Sequence, residues 1–120
     1  MTTFMYRKAG PPAERPVKWE VNLKVFRTSS NRAHLAYFEV GNGQGRVEIV
    51  FPDPWDDKPY SLLVRNMEVD PNHQGQGMAM DIIYSAVWFF GTHYDLRLNV
   101  ADDNRTARHI YRKMGFKKIV

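Results

Sequence analysis

The stretch Val69-Asp-Pro-Asn-His-Gln-Gly-Gln-Gly-Met-Ala79 joins the end of a strand to the start of a helix through a tight glycine turn. Ahead of it, residues 60–69 have the β-branched and apolar composition of a strand. After Pro71 the periodicity changes. Ala79, Ile82, Ile83, Ala86, Val87 and Phe90 recur at three- and four-residue spacing, the pattern of a helix laid on a sheet. Backbone amides at such a helix start are unpaired and point outward, so they can receive phosphate oxygens with help from the local dipole. Gly75 and Gly77 allow an anion to approach the backbone closely, and Ala79 keeps the helix near both ligand and sheet. Two common phosphate motifs do not fit. A triphosphate loop needs lysine and a hydroxyl after its last glycine, whereas Gly77 is followed by Met78-Ala-Met80. A dinucleotide fingerprint needs a further small position and an acid beyond the next strand. The residues alone therefore leave two readings, an anion hook or a plain helix-starting turn.

Downstream, Gly91 ends the helix, residues 94–100 read as a strand, 104–114 as a second helix, and 116–120 as a short last strand after Gly115. Upstream, Val17, Trp19, Val21, Leu23 and Val25 alternate with polar residues, which predicts a strand over 17–27. A polar turn at 28–31 leads to a strand over 33–40, and Gly41-Asn-Gly-Gln-Gly45 is a hairpin turn into a strand over 46–51. Pro52-Asp-Pro-Trp-Asp-Asp-Lys-Pro59 is expected to be a surface connection. Simple alternation in the following strand sets Leu63, Arg65, Met67 and Val69 on one side and Leu62, Val64, Asn66 and Glu68 on the other. Prolines at 11, 12 and 16 make residues 1–16 an irregular lead, and no repeat or linker divides the remaining compact domain at 17–120.

Composition narrows the function classes. A chain of 120 residues fits a single core. It has no cysteine, which removes disulfides, thiolate metal sites and cysteine-linked acyl intermediates. The four histidines form no ligand motif, so no metal site is expected. No apolar run is long enough to cross a bilayer and the first ten residues lack a secretory signal's apolar segment, so no membrane role and a cytoplasmic location are the expectations. The net charge of +4 suits an anionic ligand but is ordinary for solubility, and no basic run interleaved with aromatics points to nucleic acid.

The segment at 69–79, together with Leu98-Asn-Val-Ala-Asp-Asp-Asn-Arg-Thr-Ala-Arg-His-Ile-Tyr-Arg-Lys-Met-Gly-Phe116, resembles the Gcn5-related N-acetyltransferase (GNAT) superfamily. Both halves of that family's pattern occur in the correct order. The resemblance implies an α+β, three-layer fold: a mixed, mostly antiparallel sheet with a central splayed parallel pair and two main helices. It implies acetyl-CoA as cofactor and direct acetyl transfer to a primary amine, whether a small molecule, a peptide terminus or a protein lysine. By the same resemblance Val69 meets the pantetheine arm, and Gln74, Gly75, Gln76, Gly77, Met78 and Ala79 form the pyrophosphate-binding turn. Asn104 contacts or orients the cofactor, and Tyr111 brings its hydroxyl to the coenzyme A sulfur. Without the resemblance, Tyr111 would be read as an aromatic packed on the sheet.

The general base is open between Glu68 beside the strand end, His73 beside the turn, and a water chain or another residue. Asp102 and Asp103 are helix-capping or solvent-facing candidates, and the basic end at Lys113, Lys117 and Lys118 is a solvated face or a contact for the cofactor's 3'-phosphate. The chain departs from the family between its first two expected strands, where residues 25–33 leave room only for a turn and the usual early helices are lacking. That departure makes a noncatalytic coenzyme A-binding or interaction module the alternative function. Trp19, Trp55 and Trp88-Phe89-Phe90 are compatible with a monomer core or with a homodimer that covers a sheet edge.

Overall fold

The computed structural model describes residues 1–27, 34–51 and 61–119. The expected turn at 28–31 and the proline-rich connection at 52–59 lie outside the described residues. Among the described residues seven strands form one sheet: β1 (Thr2–Arg7), β2 (Asn22–Arg27), β3 (His34–Val40), β4 (Gly45–Val50), β5 (Ser61–Val69), β6 (Asp95–Ala101) and β7 (Lys117–Lys118), in the order β2-β3-β4-β5-β6-β1-β7. Two helices, α1 (Met78–Ala86) and α2 (Arg105–Lys113), follow β5 and β6, and α1 runs on into a π-helical turn at Val87–Gly91. All neighbouring strands pair antiparallel except β5 and β6, which are parallel. This is the expected mixed, mostly antiparallel sheet with a central parallel pair and two main helices.

The alternation of each strand explains its burial. Val47 and Ile49 of β4 sit opposite Phe38 and Ala36 of β3, and all four are buried beneath α1 with Ile82, Ile83 and Ala86. Gly45 lies so close under α1 that a Cβ there would stand 2.6 Å from Met78 Sδ and 2.7 Å from Ile82 Cδ1. On the sheet's other face the same strands carry charge: Glu39 pairs with Lys24, and Glu48 with Arg46 and Arg65. That polar face bears no helix among the described residues, as the short chain between β2 and β3 leads one to expect, so the described residues form two layers and not the three that the resemblance implies. No described helix is long and apolar enough to cross a membrane.

The N-terminal reading needs correction. Within residues 1–16, expected to be an irregular lead, Thr2–Arg7 forms β1 and inserts between β6 and β7, so the compact unit does not begin at residue 17. Its inward positions are Thr3, Met5 and Arg7, and two polar residues among three hide the apolar alternation. Thr3 donates to Asp102, so Asp102 ties β1 to the end of β6 and does not cap α2. Arg7 is only 7% exposed. Its guanidinium donates to the carbonyls of Met114, at the end of α2, and of Gly91, at the end of the π-helical turn, both at 2.9 Å, and to Gly10 at 2.9 Å. A cation thus closes the carbonyl ends of both helices, where the helix dipoles favour positive charge.

The strand expected over 17–27 is shorter than its pattern. Only Asn22–Arg27 pairs with β3, because the Lys18 and Trp19 amides donate to the Asp81 carboxylate on α1 and not to a neighbouring strand. Residues 10–21 therefore cross the outside of α1 as a strap.

Candidate active site

A β-bulge in β5 sets the geometry of the site. Arg46 and Glu48 of β4, two residues apart, pair with Glu68 and Arg65 of β5, three apart, so β5 carries one extra residue. Asn66 absorbs it with φ of 53°, the left-handed conformation that asparagine tolerates better than most side chains. Arg65 Nε and Asn66 Nδ2 both reach Glu48 Oε2, at 2.9 and 3.0 Å, so these consecutive side chains share the polar face. Beyond the bulge Met67 and Val69 rejoin the core side with Leu62 and Val64. The simple alternation expected from sequence, which grouped Met67 and Val69 with Leu63 and Arg65, is shifted by this residue.

The parallel pairing of β5 with β6 runs from Ser61–Asp95 to Val64–Leu98 and stops where the bulge begins. Both strands continue past that point, β5 to Val69 and β6 to Ala101, leaving a wedge between them. A cavity of about 220 Å³ occupies the wedge, lined among others by Asn66, Met67, Asn99, Asn104 and Tyr111. A second cleft of about 480 Å³ lies between the turn and α2 and shares Met67, Asn104 and Ala107 with the first. The two cavities therefore adjoin, one at the turn and one in the sheet.

The turn has the form an anion requires. Gly75 and Gly77 have φ of +78° and +81°, and Gly77 is the residue before the first helical position. The first bond of the α1 ladder runs from Asp81 N–H to the Gly77 carbonyl at 3.1 Å, so the amides of Met78, Ala79 and Met80 precede the ladder. A Cβ on Gly75 or Gly77 would meet nothing within 4 Å, which leaves the backbone open to a ligand. Gln74, Gly75, Gly77, Met78 and Ala79 line the cleft with Val69 and His73. Met78 contributes backbone only, since it is 1% exposed and packed in the core. Gln76 turns away: its side chain donates to the Asn72 carbonyl at 3.4 Å, while Gln74 donates to the Val69 carbonyl at 3.2 Å.

Asn104 is the N-cap of α2, its Oδ1 accepting from Ala107 N–H at 3.1 Å, and it borders both cavities. Tyr111 is 6% exposed, stands edge-on to Phe116, and directs its hydroxyl at Met67 Sδ, 3.9 Å away. Burial pushes its pKa from 10.0 up to about 12, so the hydroxyl is neutral and able to donate at physiological pH. The two base candidates are not together. Glu68 is exposed and pairs in register with Arg46 on the polar face. His73 borders the turn cleft, with Nδ1 3.7 Å from Asp70 Oδ2 and its ring edge-on to Trp19. Tyr111 belongs to the wedge, while His73 belongs to the turn. Among the described residues no three His, Asp or Glu side chains are grouped to hold a metal.

Three contributors have no signal in the local sequence: the Asn66 bulge, its Glu48 anchor, and Trp19, whose indole donates to the Gln76 carbonyl. Each depends on a contact between distant segments. Only the position of Asp81, an acid in the first turn of an amphipathic helix, hints at a partner.

Comparison with known proteins adds the following. Residues 30–118 match the family described as acetyltransferase (GNAT) domain. A search of curated proteins finds no match in sequence. Among solved structures, a putative acetyltransferase from the GNAT family of Novosphingobium aromaticivorans is similar over 99% of this chain and 61% of its own, with 12% identity and a TM-score of 0.61. A tandem GNAT protein from the clavulanic acid biosynthesis pathway aligns over 98% of this chain and 50% of its own, with 9% identity and a TM-score of 0.72. A GCN5-related N-acetyltransferase from Kribbella flavida aligns over 97% and 53%, with 13% identity and a TM-score of 0.60. This chain thus spans about half to three fifths of those proteins, and at such identities the likeness is one of fold.

Proposed function

Since the chain belongs to the acetyltransferase (GNAT) domain family, we propose that it binds acetyl-CoA and transfers the acetyl group directly to a primary amine. The single observation that carries this reading is the pair of adjoining cavities, one at the left-handed glycine turn and one in the wedge between β5 and β6, with Tyr111 lining the second. The residues present fit the cofactor. The amides from Gly77 to Met80 would receive the pyrophosphate, and Val69 and Met67 would border the pantetheine arm. Bound there, acetyl-CoA supplies an acetyl group already activated as a thioester.

The protein's own contribution is positioning and the handling of charge. Holding the amine against the carbonyl removes the entropic cost of a bimolecular encounter. A backbone amide at the open end of β5, near Val69, would offer a donor to the carbonyl oxygen of a bound thioester. The Tyr111 hydroxyl, kept neutral by burial, would offer a donor to its sulfur. Met67 Sδ, its present partner, is a weak acceptor and yields it readily. The amine must lose a proton before or during attack. We assign its acceptance to Glu68, directly or through water, because Glu68 lies on the helix-free face that leaves room for an acceptor, whereas His73 borders the turn and not the wedge that Tyr111 lines.

A coenzyme A titration coupled to acetyl-CoA turnover with small amines, lysine peptides and peptide N termini tests the reading. Saturable binding with turnover on one acceptor class is expected. No binding to folded protein refutes the cofactor assignment, and binding without turnover across the panel favours a noncatalytic coenzyme A-binding module.

A further inference from the structure

The strap at residues 10–21 is tied to α1 at several points. Gly10 N–H donates to the Gly91 carbonyl at 2.9 Å. Arg15 pairs with Asp81 at 3.3 Å and lies over the Tyr84 ring, and the Lys18 and Trp19 amides each donate to Asp81 Oδ2 at 2.9 Å. Asp81 is 2% exposed, so a buried carboxylate in the first turn of α1 organises a segment some sixty residues earlier in the chain. What it holds in place is Trp19. The indole N–H donates to the Gln76 carbonyl at 3.3 Å, and the ring stands edge-on to His73 with centroids 6.0 Å apart.

The peptide bond is planar and trans, so the carbonyl of Gln76 and the amide of Gly77 share one plane and point in opposite directions. A donor that fixes the Gln76 oxygen on the strap side therefore aims the Gly77 N–H away from the strap, and Gly77 itself lines the cleft. Gly77, at φ of +81° with open space around a notional Cβ, has no side chain to resist rotation of this peptide. The restraint comes from Trp19.

We propose that Trp19 is a positioning residue of the coenzyme A site: it locks the Gln76–Gly77 peptide so that the Gly77 amide faces the pyrophosphate, and Asp81 anchors it. The proposal rests on the cofactor reading above. It makes the strap, which lies outside the matched family region, part of the binding site.

The test is calorimetric titration of coenzyme A into the native chain, Trp19→Phe and Asp81→Asn. Trp19→Phe keeps a ring against His73 but removes the donor. It is expected to bind about three- to tenfold more weakly, the consequence of one net hydrogen bond, while melting within a few degrees of the native chain. Asp81→Asn exchanges an acceptor for an amide and is expected to weaken binding in the same sense. Inorganic pyrophosphate, followed by NMR, should shift the Gly77 amide resonance in the native chain and shift it less in Trp19→Phe, a change that general loosening of the fold would not confine to that turn. If the native chain does not bind coenzyme A, the cofactor reading itself falls. If it binds and both variants match it within twofold, Trp19 has no positioning role.

Discussion

Replacing Arg7 with methionine should destabilise the domain by about 3 kcal/mol. The side chain donates to two buried carbonyls, Met114 and Gly91, and to the partly buried Gly10, each at 2.9 Å. Hydrogen bonds to charged groups contribute roughly 1.5–3 kcal/mol each, so losing the two buried ones costs roughly 3–6 kcal/mol. Part of this is offset, because burying a cation is itself unfavourable, and burial lowers the Arg7 pKa. A net loss of about 3 kcal/mol is a large share of the roughly 5–15 kcal/mol that stabilises a typical domain. For a chain of this length it should lower the melting midpoint by roughly 10–15 °C. Thermal and urea unfolding followed by circular dichroism measure it, with Arg7→Lys as a control that keeps the charge and part of the hydrogen bonding and should cost about half as much. An Arg7→Met midpoint within about 3 °C of native would refute the view that this guanidinium closes both helices.

Tyr111→Phe should retain coenzyme A affinity while turnover falls by about tenfold or more, measured by thiol release under saturating acetyl-CoA. Because the Tyr111 pKa is raised from 10.0 to about 12 in the folded chain, its contribution to stability is complete below pH 10 and is lost as pH climbs through about 12. Urea unfolding across that window should show a loss larger by up to about 3 kcal/mol in the native chain than in Tyr111→Phe. Gly45→Ala should cost about 1–3 kcal/mol by overpacking against Met78 and Ile82, and should weaken coenzyme A binding as α1 is pushed off its seat; chemical denaturation and calorimetry report the two effects. Asn66→Gly should be milder than Asn66→Ala, since glycine accepts φ of 53° and alanine adds about 1 kcal/mol of strain to the lost bond with Glu48. Paired unfolding curves rank them, and an equal or reversed order would remove the strain from the account of the bulge.

Much of the architecture was legible because it is local. The change from period two to period three or four at Pro71 marks α1, the glycine-rich 41–45 segment marks the β3–β4 hairpin, and Asn104 ahead of an amphipathic run marks the start of α2. The turn was legible for the same reason: helix-start amides and two left-handed glycines are written in consecutive residues. What escaped depends on distant partners. Val17, Trp19 and Val21 alternate as a strand does, yet a buried aspartate on α1 claims the intervening amides. Thr2–Arg7 carries a buried arginine where an apolar residue signals a strand, and only the two helix ends that it closes explain its burial. The bulge at Asn66 reverses the faces of a strand whose composition gives no warning of an added residue. The wedge was anticipated from resemblance, but the bulge at which it opens in this chain, with Asn66 bonded to a glutamate on the adjacent strand, was not.

The place of β1 between β6 and β7 also bears on how the chain acquires its fold. β2 to β5 follow one another in sequence and in space, so each can pair soon after it is synthesised. Thr2–Arg7 is synthesised before the other six strands and finds its partners only at residues 95–101 and 117–118. Closing that seam spends loop entropy before contacts repay it, the condition under which folding is slow. The β6–β1–β7 seam is thus expected to form last. Until it does, Phe4, Met5 and Tyr6 remain an unpaired strand segment whose apolar side chains favour aggregation.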